Sequence, residues 1–342
     1  MQTHISFPSI EQYRNTCFDV ISRATYTGHD ENNEPVYDTT LAKPTLEFEG
    51  SVKLHGRNAS VCYNQTDGLW TQSREAIITV AQDNAGFARF VSENEPVFME
   101  LIECLYQNNV IPDRNTSVAL FGEWCGSGVQ RGVGISSLPK SFFIFAAKMV
   151  EGDKETWLNT MGLRAPESRI YNILDYPTYK MVIDFNDPGA VSDYMTELTT
   201  AVEAECPVAS AFGIKGTGEG IVWKTFWEDE LYIFKIKGEK HAPTKVKDMA
   251  SPVVSAVAGV AEFVENTVTE ARFNQAVEKV CGGPEMADPR KMGDVLKWMA
   301  ADIQKEESDT LAESGLAFKD VAKGINEKTR AMFLALCNLN TA

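Results

Sequence analysis

Lys53 is the residue whose surroundings point most directly to covalent chemistry. It stands in Ser51-Val52-Lys53-Leu54-His55-Gly56-Arg57-Asn58, where a short apolar run ends in a lysine and a glycine follows three residues on. A lysine amine attacks an electrophile only when uncharged. Its ordinary pKa of about 10.4 leaves it protonated unless burial or nearby cations disfavour the ammonium. Arginine could not take this part, because a guanidinium does not deprotonate. Taken alone, K-x-x-G is unspecific and describes a strand closed by a glycine turn.

Further short blocks follow in order. Gln72-Ser73-Arg74-Glu75 caps an apolar segment, Phe121-Gly122-Glu123-Trp124 places an acid at a strand end, and Phe142-Phe143-Ile144-Phe145 reads as a buried strand. Gly218-Glu219-Gly220 then puts an acid between glycines before a strand that carries Lys224. Finally Phe234-Lys235-Ile236-Lys237 ends an alternating strand. Side chains alternate with period two, so Lys235 and Lys237 share one face with Leu231 and Ile233. Two lysines on a half-apolar strand face call for an anion.

The elements that must position these residues are legible as texture. From Leu46 to about Lys247, short runs rich in β-branched and aromatic residues alternate with helical stretches such as Ala81–Asn108 and Ala190–Cys206. Ahead of them, Ser9 is a candidate N-cap for a helix from Ile10 to Ser22. Beyond His241-Ala242-Pro243 the periodicity becomes helical and stops at Cys281-Gly282-Gly283-Pro284, with further helices expected near 288–305 and 316–339. Trp298, Phe273, Phe318 and Phe333 fall at core spacings in that tail. The expected fold class is α+β: residues 1–247 as antiparallel sheets flanked by helices, then a small all-α domain over 248–342.

Composition sets limits. With 342 residues, 44% hydrophobic and 23% charged, the chain suits about two globular domains. Its seven cysteines stand singly, without zinc spacing, and read as packing in a reducing, cytoplasmic compartment. His4, His29 and His241 lack ligand-like spacing. No basic region followed by an apolar run opens the sequence, and no apolar run is long enough to span a membrane. The net charge of −16 argues against wrapping nucleic acid with the whole surface. A local basic strip remains open, and residues 235–247 hold five lysines against Glu239 alone.

The ordered set KLHGRN, SRE, FGEW, FFIF, EGIVWK and FKIK resembles the covalent nucleotidyltransferases, which include DNA ligases, RNA ligases and mRNA capping enzymes. Within them, His55 and Asn58 in K-x-H-G-x-N, and the opening FPSIEQYRN, are similar to the RNA ligase 2 branch of phage and RNA-editing enzymes. The motifs cover about residues 6–240, and the helical tail is similar in architecture only. This resemblance implies that residues 1–247 form an adenylyltransferase (nucleotidyltransferase) domain and that Lys53 attacks the α-phosphate of ATP to become lysyl-AMP. It implies that Val52 lies against the nucleotide and that Phe145, or Phe143 beside it, stacks on adenine. Glu123 and Arg74 would engage the ribose and Lys224 would approach the base. Lys237 would contact the α-phosphate with Lys235 nearby, while His55 and Asn58 support catalysis. Glu219 would help place Mg²⁺, for which Mn²⁺ can substitute.

The implied cycle has three in-line displacements. Lys53 displaces pyrophosphate, AMP passes to a 5′-phosphate end, and a 3′-hydroxyl displaces AMP to seal a nick in duplex RNA or an RNA-containing duplex. The implied protein is a monomer of the cytoplasm (the host's, if phage-encoded) serving a task such as RNA repair. Competing readings are a GTP-dependent capping-type enzyme, a DNA ligase, or a non-catalytic nucleic-acid-binding module. K-x-H-G-x-N speaks against the first, and the missing oligonucleotide-binding barrel after residue 248 against the first two. Keeping Lys53 with Glu123, Glu219, Lys235 and Lys237 speaks against the third, since binding alone needs no nucleophile.

Overall fold

In the computed structural model, which describes residues 2–83, 85–238, 260–307, 311 and 316–341, the architecture is α+β with mainly antiparallel sheets and a helical C-terminal region. The chain divides into two compact units. Met1–Ile10, Glu49–Lys180 and Ala201–Trp223 form the first; Glu11–Phe48, Met181–Thr200 and Lys224–Ala342 form the second. The expected boundary at 247/248 lies outside the described residues, as do Lys240, His241, Lys245 and Lys247. Among the described residues no helix is long and apolar enough to cross a membrane.

The first unit is built on a seven-stranded sheet. Its strands are β4 (Arg57–Asn64), β5 (Gly68–Ser73), β6 (Ile77–Ile78), β7 (Ser117–Cys125), β8 (Ser141–Glu151), β9 (Lys154–Leu158) and β10 (Ile170–Asn172). The order is β10-β8-β7-β4-β5-β6, with β9 on β8; only the β10–β8 pair is parallel. Alternation sends Ala59, Val61, Val118, Leu120, Phe142 and Ile144 to one face. There they meet helices α2 (Phe87–Glu93) and α3 (Glu95–Asn108). On α3 the buried residues Phe98, Leu101, Ile102 and Leu105 fall at helical spacing and form one apolar stripe. Each such side chain, fully buried, contributes about 1.5–3 kcal/mol.

The sequence suggests one helical stretch from Ala81 to Asn108, whereas the structure breaks it twice. Ala85 and Gly86 take positive φ angles of 55° and 90° before α2 begins. At Asn94 the backbone leaves helical geometry (φ −118°, ψ 22°) because Pro96, in the first turn of α3, has no N–H to continue the ladder. A bulge sits where Phe121 and Gly122 of β7 face Ala146 and Ile144 of β8, leaving Phe145 without a partner.

The other face of this sheet is crossed by the N-terminal segment. Gln72 exchanges side-chain hydrogen bonds with the Ile5 backbone. The buried Lys148 ammonium donates to the Ser6 carbonyl (2.7 Å) and pairs with Glu155 (2.8 Å). Phe7 meets Phe121, Phe145 and Trp157 edge-on or tilted.

A four-stranded sheet runs in the order β11 (Thr178–Asp184), β3 (Thr45–Lys53), β12 (Gly220–Trp227), β13 (Glu230–Lys237). In the second unit, Glu11 pairs with β13: its N–H donates to the Ile233 carbonyl and its carbonyl accepts from Lys235 N–H. That commitment delays the first helix. Instead of Ile10–Ser22 capped by Ser9, α1 spans Tyr13–Thr25 after Gln12. Tyr13 packs on Phe234, which packs on Phe48. A hairpin of β1 (Tyr26–His29) and β2 (Pro35–Tyr37) follows.

Helices α4 (Ser192–Ala204) and α5 (Pro207–Ala211) lie within the stretch expected as Ala190–Cys206 and just beyond it. The tail holds α6 (Val260–Thr267), α7 (Glu270–Cys281), α8 (Met292–Glu306) and α9 (Phe318–Thr341). Thr269 caps α7 at its start and Gly282, at φ 86°, ends it where the sequence expects. Phe273 and Phe333 are buried in the tail's core, with Trp298 and Phe318 packed against it. Inside that core the fully buried Arg272 pairs with Glu307 (2.8 Å) and Asp302 (3.0 Å) and donates to the Thr267 carbonyl.

Candidate active site

Strand β3 delivers Lys53 at its last residue, and the three-residue turn Leu54-His55-Gly56 returns the chain into β4. The Lys53 ammonium donates to Glu219 Oε2 at 2.8 Å, and His55 Nδ1 lies 3.1 Å from the same oxygen. Lys53 and His55 keep about a fifth of their side-chain surface (19% and 21%), while Glu219 keeps 4%. The Glu219 carboxylate is thus held in a nearly dry place by a strong, charge-assisted contact. Glycine makes that placement possible: a Cβ at Gly218 would stand 2.5 Å from the Val202 carbonyl oxygen, the atom that accepts the Gly218 N–H.

The turn is pinned from β7. Gly56 N–H donates to Glu123 Oε1 at 2.8 Å, and a Cβ at position 56 would lie 2.4 Å from the Trp124 carbonyl oxygen. Gln130 reaches the Gly56 carbonyl at 3.4 Å. Glycine at 56 is therefore a requirement of close approach rather than of a turn angle. One row crosses the sheet here: Asn58 on β4 faces Glu123 on β7, which faces Phe143 on β8, which faces Tyr171 on β10. Phe143 closes the row in an aromatic cluster with Tyr171, Tyr176 and Phe212.

Of the residues the sequence singled out, the first unit brings together Lys53, His55, Gly56, Glu123 and Glu219, with Asn58 in the row beside them. Val52 is buried. Arg74 donates to the Ser9 hydroxyl at 3.3 Å. Phe145, at the bulge, stands edge-on to Phe7 with centroids 5.0 Å apart. Burial, reinforced by Glu123, raises the Cys125 thiol well above its usual value. It stays protonated and packs, as the cysteine pattern suggested.

The sequence argument grouped Lys53 with two lysines and two acids, and in the first unit one of those acids, Glu219, touches it directly. A carboxylate at this distance stabilises the ammonium form. For Lys53 to act as a nucleophile, the Glu219 charge would have to be drawn elsewhere. Among the described residues no group of three His, Cys, Asp or Glu side chains could cage a metal. A lone carboxylate such as Glu219 fits an ion like Mg²⁺, which binds mainly through phosphate oxygens and water.

Lys224, Lys235 and Lys237 belong to the second unit. Lys235 Nζ lies 3.3 Å from Glu306 Oε1. Burial alone would raise the Glu306 carboxyl, yet Lys235 and Lys237, with hydrogen bonds from Gln12 and Lys235, hold it below the usual carboxylate range. Asp302, one turn earlier on α8, is raised by burial; Arg272 and Lys237 oppose this and Glu306 adds to it. Sequence reading missed Gln12, Asp302 and Glu306. Only charge complementarity could have found the acids, and it does not say which acids meet which lysines.

The model of a family described as RNA ligase matches residues 46–237, more than half of the chain. No curated protein matches it. Solved structures of similar shape include an RNA ligase of Naegleria gruberi. A variant with AMP and Mn shares 16% identity with a TM-score of 0.41, over 70% of this chain and 57% of that one. Another variant with ATP and Mn shares 17% with a TM-score of 0.43, over 73% and 58%. The complex with PPi shares 16% with a TM-score of 0.38, over 70% and 57%. The chain thus spans under two thirds of the length of these neighbours. The family match runs from within β3 to the end of β13 and includes Lys53, His55, Gly56, Glu123, Glu219, Lys235 and Lys237, but not Gln12, Asp302 or Glu306; by it the chain belongs to the RNA ligase family.

Proposed function

We propose that this chain is an ATP-dependent RNA ligase that seals 3′-hydroxyl and 5′-phosphate ends, with nicked duplex RNA or an RNA-containing duplex as substrate. The observation that carries the proposal is the pairing of Lys53 and His55 on one buried carboxylate oxygen of Glu219, inside the family match. ATP and a divalent metal, the pair named with the Naegleria enzyme, are the cofactors we assign. When bound, the metal supplies positive charge to phosphate oxygens.

On this reading Lys53 is the nucleophile. Its nitrogen bonds to the α-phosphorus of ATP as the bond to pyrophosphate breaks, and the amine's proton passes to solvent. A 5′-phosphate oxygen then takes AMP from Lys53, and the 3′-hydroxyl oxygen displaces AMP to close the strand. Glu219 keeps Lys53 extended and charged at rest, and its carboxylate would be a ligand for the metal when one is bound. His55 shares that oxygen and fixes its orientation. Glu123 holds the turn through Gly56 and, with Arg74, serves the nucleoside side, while Asn58 supports catalysis beside the nucleophile. Phe143 or Phe145 offers a ring to the base, for which Lys224 is the polar partner. Lys235 and Lys237 neutralise phosphate oxygens as charge builds in the transition state.

The test is transfer of label from α-labelled ATP or GTP to the denatured protein in the presence of Mg²⁺. Label from ATP that is absent in Lys53→Ala supports the reading, with sealing of nicked RNA, DNA and hybrid duplexes ranking the substrates. Label from GTP alone would mean a capping-type enzyme, and none from either would mean a binding protein.

A further inference from the structure

Lys235 and Lys237 share a strand face that calls for an anion, and in the second unit the chain supplies one itself. Helix α8 ends at Glu306, whose carboxylate sits 3.3 Å from Lys235 Nζ. The end of α8 is tied down from three sides. Gln12 Nε2 donates to the Glu306 carbonyl at 2.9 Å and approaches its carboxylate at 3.4 Å. Arg14 donates to the same carbonyl (3.2 Å) and to Glu307 (3.0 Å). Buried Arg272 holds Glu307 and Asp302 from within the helical core. The groups facing Glu306 are therefore Lys235 and Lys237 on β13, Gln12 and Arg14 at the start of α1, and Asp302 on its own helix.

We infer that Glu306 is a built-in substitute for phosphate: at rest it occupies the cationic face of Lys235 and Lys237, and polyphosphate must displace it. The inference rests on the proposed function for the identity of the polyphosphate, ATP, but not for the displacement itself. The chemistry is an exchange of anions. A carboxylate and a phosphate oxygen compete for the same ammonium groups, and the phosphate brings more charge. Because both the resting and the loaded lysines are paired, the apparent affinity for polyphosphate is lowered by the fraction of chains in which Glu306 is engaged. The helical tail thereby sets the ATP concentration at which the first step begins, without contributing to the chemistry.

The experiment compares the full chain with Glu306→Gln, which keeps the size and hydrogen bonding and removes the charge. At sub-saturating ATP, label transfer to the protein is expected to rise roughly three- to tenfold, with little change at saturation. Calorimetric binding of inorganic pyrophosphate is expected to tighten by a similar factor. Gln12→Ala loosens the same carboxylate with its charge intact and is expected to shift both readouts the same way by less. It decides the matter should Glu306→Gln fail to fold. Unchanged or weaker pyrophosphate binding in both variants overturns the inference. A parent chain that takes no label from ATP overturns the proposed function instead, and pyrophosphate binding still judges the substitute anion.

Discussion

Replacing Gly56 by alanine adds one methyl group at the point where the Leu54-His55-Gly56 turn is tightest. The new Cβ would lie 2.4 Å from the Trp124 carbonyl oxygen, 2.7 Å from Cys125 Cβ and 3.0 Å from Glu123 Cγ. The first two belong to the rigid frame of β7, whose Trp124 and Cys125 are buried, so they do not give way. The turn must retreat by about half an ångström or more, the overlap that a carbon–oxygen contact does not tolerate. Retreat stretches the 2.8 Å bond from Gly56 N–H to Glu123 and displaces His55 and Lys53 from the Glu219 oxygen they share. Overpacking of this kind costs about 1–3 kcal/mol of stability. A misplacement approaching one ångström at a reacting group costs about a hundredfold in rate. The expected outcome is a lowered Tm together with label transfer reduced by about two orders of magnitude. Gly293→Ala is the control: a Cβ there meets nothing within 4 Å, and in helix α8 the change is expected to leave Tm unchanged or raise it. A Gly56→Ala protein that labels at the parent's rate would refute the claim that β7 holds the turn in register.

Two further outcomes follow from the tail. Arg272→Met leaves Asp302 and Glu307 without their buried partner, so urea unfolding is expected to show a loss of about 3–5 kcal/mol; a midpoint equal to the parent's would show that the network is not structural. The second outcome concerns acid. Glu306 is held below its ordinary 4.5 despite burial, by Lys235 and Lys237, so its contribution is complete above that value and fades as pH falls through the lower folded value. Asp302, raised by burial above its ordinary 3.8, works in the opposite sense. Parent stability should therefore fall below pH 4.5 more steeply than that of Glu306→Gln, measured by urea unfolding from pH 6 to 3. Identical acid limbs would contradict the assignment.

Much of the site was legible because its signals are local. A strand ending in lysine, a glycine three residues on and an acid between glycines each describe one turn; the fold joins the lysine to the acid at Glu219 and ties the glycine to Glu123. Alternation alone placed Lys235 and Lys237 on one face and demanded an anion. What the sequence did not reveal was the identity of that anion, because Glu306 enters through packing of a helix about seventy residues downstream. The same limit explains the errors in the helices. Ser9 looks like a cap, but pairing of Glu11 with β13 moves the start of α1 to Tyr13. Apolar periodicity runs through Asn94, and only the missing N–H of Pro96 ends the helix there.

The acidic balance of the chain, −16 overall, first looks adverse for a protein that handles polyanions. The structure shows what two of those acids do. In the first unit Lys53 is held by Glu219, and in the second Lys235 is held by Glu306. Cations left unpaired in partly buried positions would carry a desolvation penalty and repel one another. Carboxylates of the chain remove that penalty, and on the proposed function each would be released when phosphate or metal arrives. Affinity for the nucleotide is then a difference between two paired states. On the proposed function each acid sets one term of that difference, so neutralising Glu306 and neutralising Glu219 should act in opposite directions: the first would loosen a competitor, the second would remove the carboxylate that holds Lys53 and that we assign to the metal.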